Sequence, residues 1–111
     1  MIMTLERFLE IIDNKEYEEI EYYDKNGTVC DPYIKIYTKN GAFIKFYYGS
    51  HSNGLFKPFI KYCQILFFIP ERNKSVASYE IEEDYDNFEF YKSLFFKLVE
   101  EIKQEQAKKY F

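Results

Sequence analysis

Apolar residues follow two different periods along this chain, which indicate a helix at each end and strands between them. After Thr4, a residue type that caps helices, they recur at helical spacing and predict a short amphipathic helix over about residues 5–13. The same spacing returns near the other end and predicts a long helix over about residues 87–108. Asp86 and Glu89 have the spacing of a capping box at its start.

Between the helices, short segments rich in aromatic and β-branched residues are separated by turn residues, a pattern typical of strands. Strands are predicted at about residues 20–24, 33–38, 42–47, 61–69 and 76–81. The fourth segment is apolar on both faces, which is typical of a central strand covered on both sides. Residues 49–54 are polar and glycine-containing, and predict a loop.

A Lys-Asn-Gly triplet occurs twice, at residues 25–27 and 39–41, and each predicts a hairpin turn. At the second triplet, a two-residue turn would scatter lysines over both faces of the sheet. A three-residue loop with Gly41 in the left-handed conformation instead pairs Ile36 with Ile44, and Lys35 with Lys45. This register places the isoleucines on one face of the sheet and the lysines on the other. We prefer this register, which places six residues on one face: Tyr33, Lys35, Tyr37, Phe43, Lys45 and Tyr47.

Composition and length indicate one folded domain that spans residues 1–111. Hydrophobic residues make up 47% of the chain and aromatic residues 22%, which is too apolar for a disordered chain and enough for one core. The strands cluster between the helices and turn tightly. We therefore predict an α+β domain with a mainly antiparallel sheet of four or five strands, helices packed on one face, and the other face partly open.

The N-terminus carries acidic residues and lacks a basic stretch followed by an apolar segment, and no apolar run is long enough to span a membrane. We therefore expect a cytoplasmic protein with no membrane partner.

Charge is segregated along the chain, with net values of −6, +6 and −4 over residues 1–32, 33–78 and 79–111. Closely spaced carboxylates can imitate a phosphate backbone and occupy the basic groove of a nucleic-acid enzyme, although a solvated strand edge would have the same composition. The candidate partner-binding acids are Glu18, Glu19, Glu21, Glu80, Glu82, Glu83, Asp84 and Asp86.

The six-residue face centred on Lys35 and Lys45 is a second candidate binding surface. Nucleic-acid bases could stack on its rings while the lysines contact phosphates, as in proteins that bind single strands. The alternative is a sheet face half covered by a helix, with lysine side chains that reach outward to solvent.

No catalytic or metal-binding motif is present. His51 lies between two serines, but adjacent side chains rarely orient as a nucleophile and base, and a loop histidine is the simpler interpretation. Cys30 and Cys63 belong to no metal-ligand motif and are expected as buried free thiols, with a disulfide or a reactive thiol as the alternatives. We therefore predict a non-enzymatic protein without metal or cofactor.

In layout the chain resembles phage-encoded anti-defence proteins, including anti-CRISPR inhibitors. The shared features are the short helix capped by Thr4, the Lys-Asn-Gly hairpins and the dense surface carboxylates. The resemblance implies a non-enzymatic protein that binds and blocks a bacterial nuclease complex, such as a CRISPR effector. The alternatives are a small nucleic-acid-binding module that uses the basic aromatic face, and a structural protein of a phage or mobile element. A homodimer is also compatible with the segregated charge.

Overall fold

The structure, a computed structural model, describes residues 3–24, 31–52, 59–71 and 74–110. Within them, two helices and five strands occur in the order α1 Leu5–Asp13, β1 Tyr17–Tyr23, β2 Tyr33–Thr38, β3 Phe43–Ser52, β4 Phe59–Phe68, β5 Ala77–Glu82 and α2 Phe88–Tyr110. Each strand pairs antiparallel with the next, which gives a five-stranded sheet in the order β1-β2-β3-β4-β5. The predicted α+β class is confirmed. The first Lys-Asn-Gly turn lies outside the described residues.

Helix α1 has the predicted bounds and the predicted N-cap. The backbone N–H of Arg7 donates to Oγ1 of Thr4 at 3.1 Å, which satisfies one of the amides that the first helical turn leaves unpaired. At the other end Lys15 has a φ of 51°, a left-handed conformation that turns the chain towards β1.

Helix α2 begins one residue later than the sequence predicts. Its first helical hydrogen bond runs from the N–H of Tyr91 to the carbonyl oxygen of Asn87 at 3.3 Å, which makes Asn87 the capping position. Asp86, the predicted cap, is exposed in the connection between β5 and α2.

The hairpin between β2 and β3 has the preferred register. Ile36 lies opposite Ile44, and Lys35 lies opposite Lys45. Gly41 has a φ of +79°, the left-handed conformation that the three-residue loop requires and that glycine adopts without steric cost. The loop is closed by a hydrogen bond from the Thr38 N–H to the Ala42 carbonyl, at 2.9 Å.

Two predictions for the second half of the sheet are wrong. Of the loop predicted over residues 49–54, residues 49–52 belong to β3, because β4 pairs with β3 along its whole length and the ladder overrides their polar composition; residues 53 and 54 lie outside the described residues. Strand β4 is apolar on both faces, but the helices cover only one of them. Its Phe68 faces the other side, where it stacks on Phe43.

The core lies between one face of the sheet and both helices. The ring of Phe46 in β3 meets Phe8 of α1 at a centroid distance of 5.2 Å and Phe95 of α2 at 5.3 Å, both in edge-to-face geometry. The predicted packing of the helices on one face is therefore confirmed. Over the described residues, neither helix is long and apolar enough to cross a membrane.

Candidate interaction surface on the sheet

The candidate surface is the face of the sheet opposite the two helices, which we call the helix-free face. The confirmed register brings together on it all six predicted residues, at intermediate burial: Tyr33, Lys35, Tyr37, Phe43, Lys45 and Tyr47. Side chains alternate along a strand, so the same register directs the intervening isoleucines into the core.

The rings of the helix-free face form two rows across three strands each. Tyr33 lies between Tyr23 and Tyr47, with ring centroids 5.0 and 4.8 Å away. Phe43 stacks on Phe68 at 4.6 Å. It also meets Tyr37 of β2 at 6.5 Å. Tyr23 and Phe68 were missing from the predicted surface, although each would have been found by extending the register to the next strand.

The two opposed lysines are directed to different rings. The Lys35 Nζ lies 4.7 Å from the ring centroid of Tyr37 and 4.5 Å from that of Phe43. The Lys45 Nζ lies 5.2 Å from the centroid of Tyr33 and 5.4 Å from that of Phe68. Cation–π contacts at such exposed sites contribute about 0.5–1 kcal/mol each, which offsets the repulsion between the two ammonium groups.

The predicted acidic residues divide into two groups on opposite edges of the sheet. Glu19 and Glu21 lie on β1, and Glu80 and Glu82 lie on β5, with all four on the helix-free face by register. Four inter-strand steps of about 4.8 Å place the two edges about 19 Å apart. The remaining predicted acids lie beside these edges: Glu18 in the β1 bulge, and Glu83, Asp84 and Asp86 after β5.

The acidic pair on β1 is linked to the aromatic rows. The Tyr23 hydroxyl donates to the Glu21 carboxylate, and this bond is the main cause of the lowered pKa of Glu21. The pKa of Glu19 is raised, because it shares a hydrogen bond with Glu21 and is repelled by its charge. The two carboxyl groups therefore titrate as a pair, with the proton favoured on Glu19.

A further carboxylate, that of Asp31, lies over the helix-free face beside β3. Its Oδ2 accepts a hydrogen bond of 2.5 Å from the hydroxyl of Tyr62. Gly49 makes this position possible, because a Cβ at residue 49 would lie 2.2 Å from the Asp31 Cγ. Burial, followed by this hydrogen bond, raises the pKa of Tyr62.

The residues considered for catalysis form no reactive group in the part of the chain that the structure describes. Cys63 is fully buried and burial raises the pKa of its thiol to about 12, so that it stays protonated and unreactive. Cys30 and the side chain of His51 lie outside the described part. Within that part, no three potential metal-ligating side chains of His, Cys, Asp or Glu come together.

No protein-family model, curated protein or solved structure matches the chain. The helix-free face is therefore interpreted from its own side chains. Its strands contribute two lysines and four glutamates among the described residues, so that the face is acidic although its centre is basic and aromatic.

Proposed function

We propose that this chain is a non-enzymatic inhibitor that binds another protein through the helix-free face and blocks the basic nucleic-acid groove of a bacterial enzyme, such as a CRISPR effector. One observation carries the proposal. An aromatic centre is flanked by carboxylates at both edges of one sheet face, the pairs Glu19–Glu21 and Glu80–Glu82.

The arrangement has the properties of a protein-binding surface. Tyrosine offers a large contact area at a low cost in conformational entropy, and aromatic residues dominate the centres of protein interfaces. Carboxylates at the rim steer a basic partner into place and pair with its arginine and lysine side chains. A nucleic-acid groove is rich in those side chains because it binds phosphates.

A nucleic-acid-binding module is the second candidate, favoured by the contact of Lys35 and Lys45 with aromatic rings. The position of the acidic residues weighs against it, because the glutamates on the edge strands are separated from the centre by distances comparable to the Debye length of about 8 Å at physiological salt. Phosphates that approach the lysines therefore meet a repulsive field.

The first experiment measures nucleic-acid binding directly. Fluorescein-labelled oligo-dT and a single-stranded RNA of mixed sequence are titrated with the purified protein at 50 and 200 mM salt, and anisotropy is recorded. We expect no binding at micromolar concentration at either salt. Saturable binding that weakens steeply with salt would establish the second candidate in place of the first.

The second experiment compares capture of partners by three tagged proteins from a nuclease-treated bacterial lysate. They are the wild type, an edge variant with Glu80→Lys and Asp84→Lys, and a control with Glu89→Lys and Glu100→Lys. The control changes the net charge equally, but its substitutions lie on α2, and all four residues are exposed.

We expect the wild type and the control to retain one nucleic-acid enzyme in stoichiometric amount and the edge variant to lose it. The purified enzyme should then lose activity when an equimolar amount of the wild type is added. Equal capture by all three proteins, or a captured enzyme whose activity is unchanged, would refute the proposal.

A further inference from the structure

A groove runs along the outer edge of β1, beside the C-terminal half of α2. Its volume is about 630 Å³, within the range of ligand-binding pockets. Among the described strands, β1 pairs only with β2, so that every second residue of β1 directs its N–H and C=O groups away from the sheet. The groove is therefore bounded by backbone groups that can still form a ladder with another strand.

The side chains around this groove are predominantly acidic. Four carboxylates line it, two from β1 and two from α2: Glu19, Glu21, Glu101 and Glu105. Two ammonium groups oppose them, those of Lys15 and Lys109, so that the charged groups of the lining have a net charge of −2. Three further charged groups border the lining. The exposed Glu18 in the β1 bulge is negative, whereas Lys108 pairs with Glu105 at 3.4 Å and the Lys103 Nζ lies 5.9 Å from the ring centroid of Tyr22, so that lining and border together have a net charge of −1.

We propose that the edge of β1 and this groove bind an extended, lysine- and arginine-rich segment of a partner protein, which adds to the sheet as a sixth strand. This mode of recognition obtains affinity from main-chain hydrogen bonds and specificity from alternate side chains. The seven residues of β1 can pair with a segment of about seven residues, about 23 Å long.

The positions of the carboxylates explain why the added strand would be basic. Side chains of such a strand alternate between the two faces of the sheet. On the helix-free side they would lie beside Glu19 and Glu21, and on the α2 side beside Glu101 and Glu105. Lysine or arginine is therefore complementary at successive positions.

The same charges exclude the most obvious competitor, the β1 strand of a second copy. Such pairing would bring the glutamates of both copies together, and like charges on neighbouring strands are destabilising. The hydrophobic floor of the groove, formed by Ile20, Leu98 and Ile102, offers contact to the aliphatic stems of lysine and arginine.

The test uses three synthetic nine-residue peptides built on three repeats of Lys-Lys-Thr, which places lysines on both faces of an added strand. The first is unmodified, the second has its lysines replaced by glutamate, and the third is methylated on every second backbone nitrogen. Methylation removes the donors that a ladder needs but keeps the charge. Binding of each fluorescein-labelled peptide to the full chain is measured by anisotropy at 100 mM salt, and hydrogen exchange of the β1 amides is measured with and without peptide.

We expect the unmodified peptide to bind and to slow the exchange of outward-directed amides in residues 17–23, and the other two peptides to bind at least about tenfold more weakly. A variant with Glu101→Gln and Glu105→Gln should weaken binding about three- to tenfold. A control with Glu89→Gln and Glu100→Gln, which are exposed α2 residues outside the groove lining, should not.

The proposal would be overturned if the methylated peptide bound as tightly as the unmodified one, or if peptide left the hydrogen exchange of the β1 amides unchanged. Either result would mean that charge attraction alone accounts for the binding. Absence of binding by the unmodified peptide would overturn it as well. The groove shares Glu19 and Glu21 with the helix-free face, so the substitutions are placed at Glu101 and Glu105 of α2, outside that face. The edge variant Glu80→Lys with Asp84→Lys tests the helix-free face separately.

Discussion

Substitution of Gly49 by alanine tests the contact between Asp31, Tyr62 and β3. No positive φ requires glycine at this position, and the three heavy atoms nearest to an added Cβ all belong to the Asp31 carboxyl group. A Cβ would lie 2.2 Å from the Asp31 Cγ and 2.5 Å from both its oxygens, which forces Asp31 to move. Its hydrogen bond with the Tyr62 hydroxyl is then lost.

The magnitude follows from two opposing effects. A hydrogen bond to a charged group contributes about 1.5–3 kcal/mol to the free energy of unfolding. Alanine in place of glycine inside a strand returns about 0.5–1 kcal/mol, because the unfolded chain loses conformational freedom. We therefore expect Gly49→Ala to destabilise the protein by about 1–2 kcal/mol and to lower the Tm by about 4–8 °C.

The assay is urea unfolding at pH 7 followed by circular dichroism and tyrosine fluorescence, since the chain contains no tryptophan. The matched control is the same substitution in an Asp31→Ala background, where the three clashing atoms are absent. There Gly49→Ala should be neutral or stabilising. If the substitution costs the same free energy in both backgrounds, the Asp31 contact is not what requires glycine at residue 49.

Three further predictions concern the core and the titrating groups. Phe95→Ala should lower the free energy of unfolding in urea by about 3–5 kcal/mol and Phe96→Ala by less than about 1 kcal/mol, because Phe95 is 1% exposed and Phe96 is 48% exposed. Similar losses for the two variants would contradict the packing of Phe95 in the core. Because the pKa of Tyr62 is raised in the folded protein, its hydroxyl contributes fully to the free energy of unfolding at pH values below about 10, the pKa of tyrosine in the unfolded chain. This contribution is lost as the pH rises through the folded-state pKa. Tyr62→Phe should flatten this alkaline loss in unfolding curves, and an unchanged slope would refute the assignment. Cys63 should resist iodoacetamide at pH 8 until urea unfolds the chain, as measured by peptide mass spectrometry, and modification in the native state would contradict its burial.

The hairpin between β2 and β3 was predictable because sequence alone specifies its register. A slip of one residue would have moved isoleucines such as Ile34 and Ile36 from the core to the other face, and Gly41 supplies the conformation that the loop needs. The helices were predictable for a similar reason, since their periods and the Thr4 cap of α1 are local signals.

The misassigned segments depend on partners that are distant in sequence. Gly49 and Ser50 have loop composition, but Tyr62 and Lys61 of β4 pair with them and extend β3. The apolar residues of β4 were interpreted as a strand covered on both sides, because a hydrophobic side chain does not show whether a helix or a neighbouring ring covers it.

The candidate surface was predicted in its centre and only partly at its borders. The six central residues share one hairpin, whose register the sequence specifies. Tyr23 and Phe68 belong to strands whose registers were not deduced, and the division of the acids between two edges required the strand order. The contacts of Lys35 and Lys45 with rings depend on side-chain conformations, which no sequence pattern encodes.

The strand order has a consequence for how the chain folds. Every strand pairs with its neighbour in sequence, so that the sheet can be assembled by closing short loops one after another. The N-terminal segment is different, because the Tyr79 hydroxyl donates to the carbonyl of Met3 across 76 positions, and Phe8 of α1 contacts Tyr91 of α2. We expect the hairpins to be formed in the transition state and the docking of α1 to follow it, so that weakening the contacts of Phe8 speeds unfolding and leaves the folding rate nearly unchanged.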